Sequence, residues 1–383
     1  MRRALLLSGS LGMGHDVLAQ ACATSLGARG WGTQTLDAMR LLGRGGSSAG
    51  EAVFRAMLAL PGLYDAFHFA ALRAGSRLAL LADQAACREM VPRLREHLDA
   101  HPADLVISVF STGASAVSRL AERYPAMTHL VFCTDVTPHR LWIHRNVDLY
   151  LVTSRAAQAA VARYQPGAPV LVVPVPVREA FYDPPAQADA RAALGIAGRA
   201  RCVLIMSGAW GLGPLADTAS ALAGAGLQVL AVAGRNARLE RRLRAAAQHQ
   251  RRLHVFGFTE RIPALMAAAD LVITSSGDTC SEARLVGRRL LLLDVVPGHG
   301  RDNLQHELEL GDASVTSPRA SDVLRNALAA LEDGSAPSAP LTRPADRRSR
   351  EAWEASFSAA LARAGLGGPP VSPAGPAASG APR

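Results

Sequence analysis

The sequence predicts an α/β fold made of two doubly wound domains that face a cleft. Apolar strands alternate with helices over residues 3–152, and the alternation restarts over residues 202–293. A stretch rich in proline, from Gln165-Pro-Gly to Pro176, separates the two sets. Alternation of this kind requires parallel sheets covered by helices, and ligands bind such sheets outside the carboxyl ends of the strands.

Each set contains five short apolar runs that read as buried strands. These runs are Arg3–Ser8, Gly32–Leu36, Asp104–Val109, Thr128–Cys133, Asp148–Val152, Cys202–Met206, Gln228–Ala233, Leu253–Phe256, Leu271–Thr274 and Arg289–Leu293. Val17–Gly27 has helical spacing and ends at a glycine, and residues 41–96 are helical in pattern.

The boundaries follow from changes in composition. We expect a first domain at 1–175, a second at 176–333, a linker at 334–348, a final helix at 349–365 and a disordered tail at 366–383. Trp353, Phe357 and Leu361 fall on one face of the final helix, which therefore packs against another element.

Composition narrows the functional classes. No apolar run approaches the roughly 18 residues of a membrane span, and the apolar start of the chain is too short for a signal peptide. The five cysteines are scattered without a C-x-x-C pair, which favours reduced thiols over disulfides or zinc. These observations predict a cytoplasmic protein.

The net charge is +9, and arginine supplies all of the positive side chains because the chain has no lysine. One interpretation is a general bias of the genome towards arginine and alanine. The other is attraction to an anionic surface, either phospholipid or a nucleotide diphosphate. The arginines are dispersed and no nucleic-acid module is visible, so we expect no nucleic-acid partner.

The most informative segment is the end of the run at Leu271–Thr274. A small-residue loop containing Ser276, Gly277 and Thr279 leads into a helix that carries Glu282. A helix start offers free N–H groups and a positive dipole end, which together can hold a phosphate. Glu282 would then accept a pair of ribose hydroxyls. The alternative is that serine and glycine only cap this helix.

A second loop follows the first strand and contains Gly14 and His15. Its glycines let a ligand approach the backbone closely, and an imidazole at the helix entrance can act as a general base near neutral pH. A capping or packing histidine is the alternative. Asp37 lies at about the distance expected in a dinucleotide fingerprint, but the glycine order differs, so NAD binding is the weaker hypothesis.

A third segment, residues 133–145, follows another strand. Asp135 is expected to orient His15 or to act as a base itself, while His139 and Trp142 are expected to shape an acceptor pocket. Two histidines five residues apart, without a matching carboxylate, do not form a zinc pattern. A solvated loop without a role is the alternative.

Three further loops complete the set of candidates. Ser207, Gly208 and Gly211 form a second glycine loop that predicts a phosphate contact. Phe258 follows a strand and could clamp a base, although packing of Phe256 and Phe258 in the core explains the segment equally well. His299, Asp302 and Asn303 suit sugar hydroxyls, with a plain turn as the alternative.

These motifs occur in an order that resembles the monogalactosyldiacylglycerol synthase and processive diacylglycerol glucosyltransferase family. That family is related to the peptidoglycan lipid-intermediate N-acetylglucosaminyltransferase. The resemblance extends from Leu5 to about Leu310. It implies the GT-B fold, in which two Rossmann-like domains face each other and the final helix crosses back to the first. It also implies inverting transfer of a hexose from a UDP-sugar to a lipid or other hydrophobic hydroxyl, without a metal or other cofactor.

The resemblance assigns roles to individual residues. His15 matches the proposed base, Glu282 the ribose-binding glutamate and Asn303 the sugar-binding asparagine. Phe258 lies at the uracil clamp. The helical stretch around Tyr64 corresponds to the segment associated with lipid, which implies peripheral contact with the inner face of the cell membrane.

The chain also departs from this family. Ser275 replaces the usual basic residue, and Asp278 lies beside the expected phosphates in a loop one residue shorter. Trp210 lies in a less glycine-rich loop, and His299 replaces the usual glutamine. A UDP-sugar 2-epimerase on the same architecture and a non-catalytic protein that binds nucleotide or a membrane surface are therefore kept as alternatives.

Overall fold

The computed structural model describes residues 1–9, 14–43, 76–206, 214–296, 299–332 and 350–367. Within these ranges the chain forms two sheets of six parallel strands each. The doubly wound α/β fold that the alternation predicts is therefore confirmed.

The first sheet has the strand order β2-β1-β3-β4-β5-β6. Its strands are β1 (Arg3–Ser8), β2 (Gly32–Asp37), β3 (Leu105–Ser108), β4 (Thr128–Phe132), β5 (Leu149–Val152) and β6 (Val170–Val172). The helices described around it are α1 (Gly14–Gly27), α2 (Arg77–Ala100), α3 (Ser111–Ser118) and α4 (Arg155–Tyr164). Both faces of the sheet are covered, so its central strands are almost wholly apolar.

The second sheet has the order β12-β11-β10-β7-β8-β9. Its strands are β7 (Cys202–Met206), β8 (Gln228–Val232), β9 (Leu253–Phe256), β10 (Leu271–Ser275), β11 (Arg289–Leu293) and β12 (Ala313–Thr316). The helices are α5 (Gln187–Ala193), α6 (Leu215–Gly224), α7 (Ala237–Ala247), α8 (Ile262–Ala268), α9 (Asp278–Leu285), α10 (His299–Glu309) and α11 (Ala320–Glu332).

The last described helix, α12 (Arg350–Arg363), packs on the first sheet although it follows the second in the chain. Trp353 and Phe357 stack on each other with ring centroids 5.1 Å apart, inside the core that also holds Phe132 of β4. The Trp353 indole donates to Ser25 Oγ on α1 at 2.9 Å, and Ser25 donates to Glu354 at 2.6 Å. The predicted return of this helix to the first domain is confirmed.

The sequence missed two strands, β6 and β12, and both lie at an edge of their sheet. Edge strands are often short and partly polar, since only one side is paired. Val170–Val172 is a short apolar run enclosed by Pro169 and Pro174, which argue against a strand, and Ala313–Thr316 has little apolar character.

Several regional expectations stay predictions. The helical pattern of residues 41–96 corresponds to α2 only from Arg77 onward, and most of the remaining stretch lies outside the described residues. The linker at 334–348 also lies outside them, as does nearly all of the tail. Among the described helices, none has both the length and the apolar character needed to cross a bilayer.

The first sheet contains one fully buried histidine, His129 of β4, which is 1% exposed. Its Nε2 lies 3.0 Å from Ser108 Oγ, and its Nδ1 lies 3.2 Å from the carbonyl oxygen of Asn146. Burial lowers the pKa of His129 to about 3, because the charged imidazolium would lose its hydration. The folded protein therefore holds this histidine neutral.

We expect this histidine to make the fold sensitive to acid. Below about pH 6.5 the unfolded chain binds a proton that the folded chain does not, so the free energy of unfolding falls by about 1.4 kcal/mol per pH unit until roughly pH 3. His129→Gln should flatten that slope, although it also lowers stability at neutral pH. Urea unfolding at several pH values measures the slope, and exposed His249→Gln is the control. An unchanged slope in His129→Gln would contradict the expectation.

Candidate active site

The first part of the site is the start of α1. The Ser8 hydroxyl at the end of β1 donates to Oδ1 of Asp16 at 2.5 Å, which ties the strand to the first turn of the helix. His15 is half-buried on that turn, edge-on to the ring of Phe110 with the centroids 5.4 Å apart. Its imidazole is therefore held at the carboxyl end of the first sheet.

A polar chain connects His15 to the loop after β4. Nε2 of His15 lies 3.5 Å from Thr134 Oγ1, and the Thr134 hydroxyl donates to Oδ1 of Asp135 at 3.4 Å. The other carboxylate oxygen accepts from the indole of Trp142 at 2.9 Å and lies 3.7 Å from Nε2 of His139. The structure thus places Asp135 where it can orient His15 through Thr134.

Trp142 is 2% exposed and belongs to the core beneath this loop. Its indole donates to Asp135, and the ring has almost no contact with solvent. His139 is half-buried beside it, with the ring centroids 6.3 Å apart. The role of both residues in an acceptor pocket stays a prediction.

The second part of the site is the start of α9, which follows β10. Gly277 is the residue before the first turn, in extended backbone, and Thr279 is half-buried on that turn. The Ser276 side chain is buried and donates to the carbonyl oxygen of Gly300 at 2.9 Å. This bond ties the loop to α10 and leaves the Ser276 hydroxyl inside the protein, while the role of Ser276 in binding a ligand stays a prediction.

Glu282 lies one turn into α9 and is buried, at 4% exposure. Its Oε1 accepts from Nε of Arg178 at 2.7 Å. Arg178 comes from the joint between the two sheets, and its guanidinium also covers the ring of Phe181 at 4.8 Å. Burial raises the pKa of Glu282, and the hydrogen bond from Arg178 opposes that rise. The carboxylate is buried and paired with a cation, which the sequence did not indicate.

The two parts meet across the cleft at Gly14 and Asp278, the first residues of α1 and α9. A β-carbon at position 14 would overlap Oδ2 of Asp278, so a larger residue there would displace this carboxylate. The carboxyl ends of the two sheets therefore face each other here, and His15 lies next to the contact.

A third group lies at the ends of β8 and β9. Phe258 is 55% exposed, whereas Phe256 is partly buried against the core, so Phe258 is the more accessible of the two rings. The guanidinium of Arg235 lies 4.7 Å from the centroid of the Phe258 ring. An exposed ring with a cation on its face is a surface on which a base can stack.

The fourth group is the start of α10, after β11. Asn303 lies on the first turns of this helix, and its Oδ1 is buried with no hydrogen-bond partner among the described residues. A buried acceptor of this kind calls for a donor, which a sugar hydroxyl could supply. His299 begins the helix.

Other candidates cannot be placed. Ser207, Gly208, Gly211 and Tyr64 lie outside the described residues. Asp37 accepts from the backbone N–H of Met39 at 2.9 Å, so it caps a short 3₁₀ turn, which favours a structural role over ribose binding. Within the described residues no group of three or more histidine, cysteine or carboxylate side chains converges on one metal position.

Sequence reasoning missed Arg178, Arg235 and Thr134. Arg235 follows a predicted strand within Gly234-Arg-Asn, so its place at a strand end was a usable signal. Thr134 lies inside the segment that supplied Asp135. Arg178 had no such signal, because its partner Glu282 lies 104 positions further along the chain.

Two parallel sheets that face each other at their carboxyl ends, joined by a helix returning to the first, define the GT-B class of fold. A solved structure supports this class. The UDP complex of Arabidopsis thaliana UGT89C1 superposes with a TM-score of 0.64, covering 95% of this chain and 100% of that one at 13% identity. Identity this low shows the fold alone.

Sequence comparison specifies the group of relatives. Residues 76–175 match the model of the monogalactosyldiacylglycerol (MGDG) synthase family. The chain is 29% identical over 246 residues to the processive diacylglycerol β-glucosyltransferase of Bacillus pumilus, covering 63% of this chain and 64% of the relative. It is 30% identical over 228 residues to a probable chloroplastic MGDG synthase of Nicotiana tabacum, covering 54% and 42%. The resemblance inferred from the motifs is confirmed, over less than two thirds of either relative.

The buried ion pair of the site can be tested by a double-mutant cycle. We expect Arg178→Ala, Glu282→Gln and the double variant to give a coupling energy of about 1–2 kcal/mol, because Arg178 compensates a buried carboxylate. Urea unfolding of the four proteins measures it. The exposed pair Arg242 and Asp217, treated in the same way, should give a coupling close to zero. Equal couplings in the two cycles would contradict a special role for the buried pair.

Proposed function

We propose that this protein transfers a hexose from a UDP-sugar to the hydroxyl of a diacylglycerol-like lipid. The observation that carries the proposal is the meeting of the starts of α1 and α9, with His15 on one side and Glu282 on the other. The similarity to relatives named for diacylglycerol and MGDG supports the same substrate class.

The donor would be held mainly by the second domain. Glu282 would accept ribose hydroxyls, and the N–H groups at the start of α9 would bind the diphosphate together with Arg178. Uracil would stack on Phe258, with Arg235 as the cation already on that ring. Asn303 would accept a hydroxyl of the hexose.

The chemical step would use His15 as general base. Its imidazole takes the proton of the lipid hydroxyl while that oxygen attacks the anomeric carbon opposite the diphosphate. The bond from the anomeric carbon to the phosphate oxygen breaks, and UDP leaves with the electron pair, so the configuration inverts. Asp135, acting through Thr134, would stabilise the imidazolium that forms.

We further propose that the reaction needs no divalent metal. The departing diphosphate requires positive charge, and two helix starts and the Arg178 guanidinium supply it at the place where the domains meet. Transfer that is unchanged by a chelator would support this part, and loss of transfer restored by Mg²⁺ would contradict it.

The lipid would reach the site from a membrane surface. On α2, Leu78 and Leu81 are 72% and 58% exposed, an unusual exposure for two large apolar side chains on one helix start. With the positive net charge, this surface suits peripheral contact with an anionic leaflet. We therefore propose a place on the cytoplasmic face of the membrane.

The proposal separates binding from chemistry in two variants. Glu282→Gln should weaken UDP binding by roughly 10- to 100-fold, the loss expected for hydrogen bonds to a charged group. His15→Asn should keep UDP binding and lower kcat by about 10²- to 10⁴-fold. Calorimetry with UDP measures binding. Transfer from UDP-glucose, UDP-galactose or UDP-N-acetylglucosamine to diacylglycerol in vesicles measures turnover.

Exposed His101→Asn is the control for loss of a histidine from the first domain, and it should change neither readout. Failure of the wild-type protein to bind UDP would overturn the nucleotide-dependent function. UDP binding with no transfer from any of the three donors would favour a non-catalytic binding protein. Interconversion of a UDP-sugar without an acceptor would favour the epimerase alternative.

A further inference from the structure

The carboxylate of Asp278 occupies an unusual position for a site that binds a diphosphate. It begins α9, and one of its oxygens lies against Gly14 at the start of α1. Both helices direct the positive ends of their dipoles towards this point. An acidic side chain of the protein thus lies where positive potential would otherwise attract an external anion.

The surroundings do not neutralise this charge fully. Arg178 favours the ionised form of Asp278, but that guanidinium is already hydrogen-bonded to Glu282. Glu307 on α10 adds further negative potential, although Arg284 forms an ion pair with it. Crowding by protein raises the pKa of the Asp278 carboxyl, although the residue as a whole is exposed. One arginine therefore serves both Asp278 and Glu282.

The loop itself offers no compensating charge. Residues 275–278 read Ser-Ser-Gly-Asp, so the Asp278 carboxylate is the only charged side chain of this loop. A ligand here meets a field that becomes more repulsive as its own negative charge increases.

We propose that Asp278 is a specificity-determining residue that selects ligands of this site by their charge. Its carboxylate weakens the binding of the nucleotide product more than the binding of the donor. The inference rests on the proposed function. In a UDP-sugar the terminal phosphate is esterified, whereas in UDP it is free and carries close to one further negative charge at neutral pH. Asp278 therefore repels UDP more strongly than the UDP-sugar, so that the product leaves the site readily after transfer.

The test compares the binding of UDP and of UDP-glucose in the variant Asp278→Asn and in a control variant. We expect Asp278→Asn to tighten UDP binding by roughly tenfold and UDP-glucose binding by only about threefold, because the repulsion scales with ligand charge and is screened by salt. Calorimetry of the full chain measures both dissociation constants. Product inhibition by UDP should strengthen in the same variant. The difference between the two ligands should shrink at high salt.

Asp217→Asn is the matched control, since Asp217 also lies in the first turn of a helix of the second domain but pairs with Arg242 on the neighbouring helix α7. It should leave both constants unchanged. If Asp278→Asn alters neither dissociation constant, or alters both by the same factor, the proposal that Asp278 selects ligands by charge is wrong. The proposal that the site binds a nucleotide is then unaffected. If neither protein binds UDP or UDP-glucose, the proposed function and this inference fail together.

Discussion

The approach of two helix starts across the cleft is the constraint on which the rest of the site depends. In a parallel sheet every strand leads into its helix at the same edge, so each sheet collects its loops and helix dipoles on one side. Here the two edges face each other closely enough for Gly14 of α1 to contact Asp278 of α9. Every described candidate residue lies in one of these loops, in the first turns of one of these helices, or at the joint between the sheets.

The returning helix α12 connects the two domains through the chain and packs against the first one. The chain passes from the first sheet to the second through the joint that carries Arg178, and it comes back to place Trp353 and Phe357 in the first core. Burial of two large aromatic side chains stabilises the return by several kcal/mol, in line with the about 3–5 kcal/mol that loss of one such core side chain costs. The polar bonds to Ser25 fix its register on α1.

Positive charge is scarce in the loop before α9. Residues 275–278 carry no basic side chain, and Arg178, which favours the ionised form of Asp278, is also paired with Glu282. The positive potential for a diphosphate therefore depends on helix dipoles and one arginine from the joint. Such a site is sensitive to small changes in the charge of its ligand, since little excess positive charge is available.

The sequence by itself determined the two sets of parallel strands, their order along the chain and the loops that carry His15, Asp135 and Glu282. It could do so because buried strands are apolar runs and because glycine loops and helix starts are local signals. It could not show which of Phe256 and Phe258 is exposed, that Trp142 is buried behind Asp135, or that the edge strands β6 and β12 exist. The tertiary structure alone decided that Arg178 pairs with Glu282 and that Asp278 meets Gly14, because these contacts join residues more than 100 positions apart. The second contact also requires the two domains to approach each other.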